Sequence, residues 1–172
     1  GNNAVIRSRD LDIEAINHVD KELLGQANIR GVAGGIIAGG GGGSDTVISL
    51  TTLVSIGDSA SLDVLGDPSA PGNFVLRALN DIVAKDKISL TSAGLVSGVS
   101  AHSRISTLID LARVRVGDGA SLTSVGAINM SARGQGDASA TMGSDAYGVG
   151  TYVGGDTTVS LSPTNEVIIS ED

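Results

Sequence analysis

One pattern of nine residues occurs twice, with six positions identical. Val54-Ser55-Ile56-Gly57-Asp58-Ser59-Ala60-Ser61-Leu62 returns 60 residues later as Val114-Arg115-Val116-Gly117-Asp118-Gly119-Ala120-Ser121-Leu122. Repetition at such an interval constrains the fold more than any single residue does, because one unit cannot bury its apolar face alone and must stack on its neighbours. Two weaker blocks repeat around it. Ile13-Glu14-Ala15-Ile16-Asn17 is echoed by Leu76-Arg77-Ala78-Leu79-Asn80 and, more faintly, by Met130-Ser131-Ala132-Arg133. Asp45-Thr46-Val47-Ile48-Ser49-Leu50 is matched by Asp156-Thr157-Thr158-Val159-Ser160-Leu161. The 172 residues therefore read as one repetitive module of three units, 1–53, 54–113 and 114–172.

Neither end holds a whole unit. Val167 to Asp172 reads as the start of the Val-x-Ile-Gly-Asp block and Gly1 to Ile6 as its remainder, with Ala4 and Ile6 in the places of Ala60 and Leu62. Joined tail to head, the ends restore the motif and keep the spacing of the alanines at 56, 60 and 56 residues. The expectation is that the units run on in phase into identical neighbours, covalently or by association. Ala4, Ile6, Val167 and Ile169 are then the apolar positions at the junction.

Within each unit the apolar residues alternate, as in Ile48/Leu50, Val54/Ile56, Ala60/Leu62/Val64, Ile88/Leu90 and Val114/Val116, and a period of two means strands. The strands read as short, about 4 to 8 residues, divided by Gly-Asp and Ser69-Ala70-Pro71-Gly72 turns. Asp10 to Leu24 can be drawn as a helix capped by Asp10, but its alignment with strand-like blocks favours strand. Propeller blades and sandwiches fill the space between layers with aromatics, and this chain has only Phe74, Tyr147 and Tyr152. Val, Ile, Leu and Ala suit instead the narrow interior of an all-β parallel β-solenoid, or β-helix, where equivalent aliphatics stack at about 4.8 Å. At about 20 residues per coil each unit would supply three coils, giving a rod of about 40 Å. The glycine-rich runs Gly34–Gly43 and Gly148–Gly155 read as corners or close-packed faces, with a flexible linker as the alternative at Gly39–Ser44.

The charge of −8 argues against nucleic acid or an anionic membrane surface as partner. No apolar run approaches the roughly 20 residues that span a bilayer, so membrane insertion is not expected. Gly1 opens no charged-then-apolar leader, so the chain reads as a mature piece or an excised fragment. Absence of cysteine excludes disulfides and thiolate metal sites. His18 and His102 lack metal-ligand spacing, and no Gly-x-Ser-x-Gly elbow or phosphate-binding glycine loop occurs, so no catalytic or cofactor-binding residues are assigned and the chain is not expected to be an enzyme. Asp10, Asp12 and Glu14 could project from one strand face and are the candidates for calcium. Asp58 and Asp118, each after a glycine at the same repeat position, read as turn residues satisfying their own backbone.

The string from Val114 to Ala132, Val-x-Val-Gly-Asp-Gly-Ala-Ser-Leu-Thr-Ser-x-Gly-x-Ile-x-Met-x-Ala, with the Gly/Ala-rich run and Thr-x-Val-x-Leu after it, resembles the repeats of giant bacterial surface exoproteins and adhesins of the filamentous haemagglutinin type. The resemblance extends over nearly the whole chain. It implies a β-solenoid in an elongated extracellular or cell-surface protein that serves adhesion, matrix or filament building. The sequence thus leads to the expectation of a structural repeat unit of an extracellular fibre or adhesin stalk whose partner is itself, head to tail. The alternative is an isolated calcium- or carbohydrate-binding adhesive module, with surface glycans as partners.

Overall fold

The computed structural model describes all residues except Leu24, Pro68, Glu171 and Asp172. The end of the helix candidate, Leu24, and the last two residues of the C-terminal block thus lie outside the described residues. The chain is all-β, 77% strand, with no helix among the described residues. Asp10 to Leu24 is no exception, since Leu11 to Lys21 is a strand. The strands are β1 (Val5–Ser8), β2 (Leu11–Lys21), β3 (Ile29–Gly34), β4 (Ile37–Ile56), β5 (Ser61–Val64), β6 (Phe74–Ala93), β7 (Val96–Val116), β8 (Ser121–Ser124), β9 (Ile128–Tyr147), β10 (Gly150–Ser160) and β11 (Thr164–Ile169).

They form three parallel sheets. The first is β1-β5-β8; in the second, β2 and β3 lie on one side of β6 and β9 on the other; in the third, β4 lies on one side of β7 and β10 and β11 on the other. The chain visits the sheets in the same order three times, each time one strand further along.

Register follows the repeats closely. Ile6, Leu62 and Leu122 are strand partners in succession, as are Ile13, Leu76 and Met130. The Asp45 block is the exception, because Asp45 pairs with Arg104 whereas Asp156 pairs with His102. The two stretches run two residues out of the sequence alignment.

Because partners are a whole unit apart, one unit makes one pass, not three. Three strands at about 4.8 Å spacing put the outer two only about 10 Å apart, in place of the 40 Å rod. The length lies within the strands. β4, β6 and β9 each have 20 residues and β7 has 21, each spanning about 65 Å, where short strands were expected. Gly39 to Gly43 is neither corner nor linker but strand interior, paired with Gly98 to His102. True corners are at Gly94 and Gly148, where a Cβ would collide with the carbonyl of Gly35 or Gly94 in the neighbouring pass.

The core lies in three apolar clusters along the long strands. The first takes residues from all three sheets, including Leu62 and Val64, Phe74 and Leu76, and Val114 and Val116. The second joins Ile48, Leu50, Ile82, Ala84 and Ile105, and the third Ile88, Leu90, Val99 and Ala101. Polar layers separate them. Between the first two, the buried Thr52 hydroxyl donates to Asn80 Oδ1 at 2.5 Å and Asn80 Nδ2 donates to Asp110 Oδ1 at 2.7 Å.

Such a layer has a physical use. Aliphatic columns facing each other over 20 residues tolerate a slip of two, which keeps the same face inward, whereas a hydrogen-bonded trio admits one alignment. At Leu108 a bulge adds one residue to β7, so its inward residues change from odd (Val99, Ala101, Ser103, Ile105) to even (Asp110, Ala112, Val114, Val116). The bulge lets Asp110 reach Asn80.

Asn80→Ala leaves Thr52 and Asp110 buried without their partner, so it is expected to destabilise the chain by about 1–3 kcal/mol for each orphaned group. A urea midpoint equal to that of the parent would show that this layer does not hold the two sheets in register.

Candidate functional site: the two terminal edges

The outermost strands leave the open edges of the three sheets. β1, β2, β3 and β4 are paired on one side only, and so are β8, β9, β10 and β11 at the opposite end. Each set offers a row of backbone donors and acceptors over its sheets. Within a parallel ladder successive residues direct their N–H and C=O to opposite sides. Ser170 N–H donates to the Val116 carbonyl, so Ile169 directs its own backbone groups away from β7, to the open edge.

The four residues assigned to the junction lie on these ends. Ala4 and Ile6 belong to the β1 edge, and Val167 and Ile169 to the β11 edge. Their exposure reflects that position. Val54 and Val114 are 3% and 0% exposed, while Val167, next in the same column, is 45% exposed; Ile56 and Val116 are buried and Ile169 is 59% exposed. At the first edge a cavity of about 110 Å³, lined in part by Gly1, Ala4, Ile6, Ile13, Ile56 and Leu62, opens the interior outward.

The two pairs do not sit on one line, because β1 is in the first sheet and β11 in the third. A further unit that continued the columns would bring its Ala4 and Ile6 to Ala120 and Leu122, and its Val54 and Ile56 to Val167 and Ile169. Ala120, Leu122, Val54 and Ile56, the neighbouring members of these columns, were not among the junction candidates. The repeat alignment itself could have supplied them.

The Gly-Asx turns stack beside the first sheet. Asp58 N–H donates to Asn2 Oδ1 and Asp118 N–H donates to Asp58 Oδ1, both at 3.2 Å. Backbone bonds follow the same steps, from Asn3 N–H to the Asp58 carbonyl at 2.9 Å and from Ser59 N–H to the Asp118 carbonyl at 2.8 Å. Asn3, Ser59 and Gly119, at φ of 56°, 55° and 63°, are all left-handed. These Asx side chains thus serve the backbone of the next turn, where the sequence suggested that each served its own.

The calcium candidates do not form one site. Asp10 precedes β2 and its Oδ1 accepts the Asn73 N–H at 2.8 Å, Asp12 is exposed on β2, and Glu14 is paired with Arg77. Among the described residues no three His, Asp or Glu side chains come together to hold a metal ion. His18 and His102 face Asp81 at 3.0 Å and Asp45 at 3.3 Å on the outside. Arg7–Asp63, exposed, and Arg113–Glu166, half-buried, join register partners in neighbouring passes, as His18–Asp81 does, and solvent screening leaves such pairs little weight in stability.

An open depression of about 440 Å³, lined by Asp20, Lys21, Glu22 and Asn28, lies between the end of β2 and the start of β3. Two of its charged residues, Glu22 and Lys21, are engaged with other side chains. Lys85 holds Glu22 at 3.0 Å, and Lys21 Nζ donates to Thr46 and stands 3.6 Å from the buried Asp86. Burial alone would raise the Asp86 pKa, but hydrogen bonds from Ser44 and Ser103 and the charge of Lys21 outweigh it and leave the carboxyl below its ordinary value.

No family model, curated protein or solved structure matches this chain.

A carboxyl whose pKa is depressed on folding contributes stability that is present above the unfolded value, about 3.9, and is lost as pH falls through the folded value. Thermal stability is therefore expected to decline below about pH 4, and Asp86→Asn to decline less steeply over that interval. Parallel pH profiles for the two proteins would refute a role for the Asp86 ionisation.

Proposed function

We propose that this chain is a structural repeat unit, a parallel β-solenoid that continues head to tail through its outer edges into identical neighbours in a fibre or stalk. The observation that carries the reading is the pair of matching edges. One end offers β1 to β4 with an opened core, the other offers β8 to β11 with half-exposed aliphatics of the same columns, and every pairing between them is parallel. A further unit extends all three sheets in the same sense. The neighbour is the next segment of a longer polypeptide or a separate copy, since the same edges serve both. Placement of the fibre outside a bacterial cell, as a surface adhesin of the filamentous haemagglutinin type, rests on the resemblance of Val114 to Ala132.

Electrostatics set the conditions for assembly. Residues 117–172 carry seven acids and one basic residue, Arg133, so the second edge repels a neighbour of the same net sign. Physiological salt screens charges beyond about 8 Å and favours contact.

In such salt the protein is expected to form unbranched rods by cryo-electron microscopy, rising about 14 Å per chain, three strand spacings. Ile169→Pro removes a donor directed to the open edge, so it is expected to abolish the rods while leaving the circular dichroism of the single chain unchanged. Discrete particles from the parent protein at high concentration, or undiminished rods from the proline variant, would overturn the proposal.

A further inference from the structure

We infer that the tip where the second and third sheets meet is a lateral contact surface, and that rods of this protein pair side by side through it, ridge against ridge. The inference rests on the proposed head-to-tail continuation and adds a second, sideways contact to it. Each pass turns from the second sheet to the third at a glycine: Gly35 between β3 and β4, Gly94 between β6 and β7, Gly148 between β9 and β10. The side chains just beyond are aliphatic every time. Ile36 and Ile37 are 78% and 82% exposed, Leu95 and Val96 59% and 52%, and Val149 87%. Ile37 and Val96 are register partners, the Ile36 carbonyl accepts Val96 N–H at 3.0 Å and the Leu95 carbonyl accepts Val149 N–H at 3.0 Å, so the five side chains stack into one ridge.

The ridge is not an effect of the open edges. Leu95 and Val96 belong to the middle pass, between Ile37 and Gly150 of the outer two, and are still more than half exposed. A surface turn is ordinarily filled by Gly, Asn, Asp or Ser, and the Gly-Asx corner of this chain follows that rule with Asn2, Asp58 and Asp118 outside. The backbone of the tip is satisfied without these side chains, as Gly35 N–H donates to the Ala93 carbonyl and Gly94 N–H to the Tyr147 carbonyl. Polar residues would serve the turn equally well. Aliphatic ones left in water forgo the burial that makes such side chains stabilising.

Charge selects a second copy as the occupant. Residues 29–43, 88–101 and 142–155, which lead to and from the tip, carry one positive charge, Arg30, and one negative, Asp145, so the net −8 lies on the rest of the chain. Two like-charged rods can approach tip to tip with nearly all their acids held back about 20 Å on each side, beyond the screening length of about 8 Å. Approach by the Gly-Asx corner brings acids together. Periodicity selects a copy too, because the ridges of two rods repeat at the same strand spacing of about 4.8 Å and the side chains of one fit between those of the other over any length. Five side chains fall far short of the roughly 20–30 residues a side of a stable interface, so two single chains do not hold together. Along a rod the ridge is continuous and its weak contacts add.

The test is electron microscopy, with measurement of mass per length, on rods of the parent chain and of the triple variant Ile36→Thr, Leu95→Thr, Val149→Thr in physiological salt. Threonine keeps a β-branched side chain suited to strands, so the variant is expected to melt with the parent and to form rods of the same axial rise. Parent rods are expected to run in pairs whose averaged images put the two tips in contact, with twice the mass per length of the single rods of the variant. Single parent rods, pairs joined by another face, or variant rods paired as the parent's are would overturn this inference and leave the proposed continuation standing. Parent rods that stay single but float with phosphatidylcholine vesicles, where the variant's do not, would also overturn it and assign the ridge to a lipid surface. A parent chain that forms no rods would overturn both.

Discussion

Everything in this structure depends on parallel pairing in register between residues one unit apart. Such pairing makes each position a column of three side chains, and it requires each column to have one character. Val54, Val114 and Val167 face inward together, and so do Ile56, Val116 and Ile169. Outside, Arg7 meets Asp63 and Glu14 meets Arg77 because the same register brings them level. A one-residue shift would turn every column inside out. The bulge at Leu108 shows how a single added residue is absorbed, by exposing Leu108 and resuming the inward series on the other parity.

Long strands create the second problem, alignment between sheets. Two facing columns of small aliphatics have little to oppose sliding, and with one phenylalanine and no tryptophan in the chain there are few large side chains to lock them. The interior answers with polar layers: Thr52, Asn80 and Asp110 between the first and second apolar clusters, Asp86 and Ser103 between the second and third. Burial of polar groups costs free energy unless they are hydrogen-bonded, so these layers stabilise only the alignment that satisfies them. The Gly-Asx turns do at the corner what those layers do inside.

Strand character and inward residues were legible in the sequence, because period-two alternation survives even in runs such as Ile82 to Leu90. The coil length was legible too and was misread. One Gly-Asx turn per 56 to 60 residues means one pass through the three sheets per unit, but the glycine and serine clusters looked like punctuation between short strands. Gly39 to Gly43 shows why: glycine is tolerated inside a paired strand, and in this run only Gly43 has its side-chain space taken by crowding, from the ring of His102, while a Cβ at Gly39 to Gly42 would meet ordinary contacts. Composition cannot reveal that crowding. Matching Asp45 with Asp156 failed for a related reason, since Thr, Val and Ser recur often enough along a β edge to align two residues out of phase. Asp10, Asp12 and Glu14 were read as one face, and Asp12 and Glu14 do share the exposed face of β2, but Asp10 precedes the strand and turns to the Asn73 backbone while Glu14 pairs with Arg77, partners 63 residues away that only register could reveal.

The junction residues illustrate the same limit from the other side. Ala4, Ile6, Val167 and Ile169 could be picked out because they complete a motif, and motifs are columns read along the chain. That the two pairs lie in different sheets, Ala4 and Ile6 beside the first and Val167 and Ile169 in the third, could not be read that way. Between the three passes of the chain itself, one set of contacts is both directional and free of aliphatic degeneracy, the Gly-Asx turn. Side-chain oxygen to backbone N–H, repeated in one sense, is polar in its geometry: it distinguishes head from tail, which symmetric columns of valine do not.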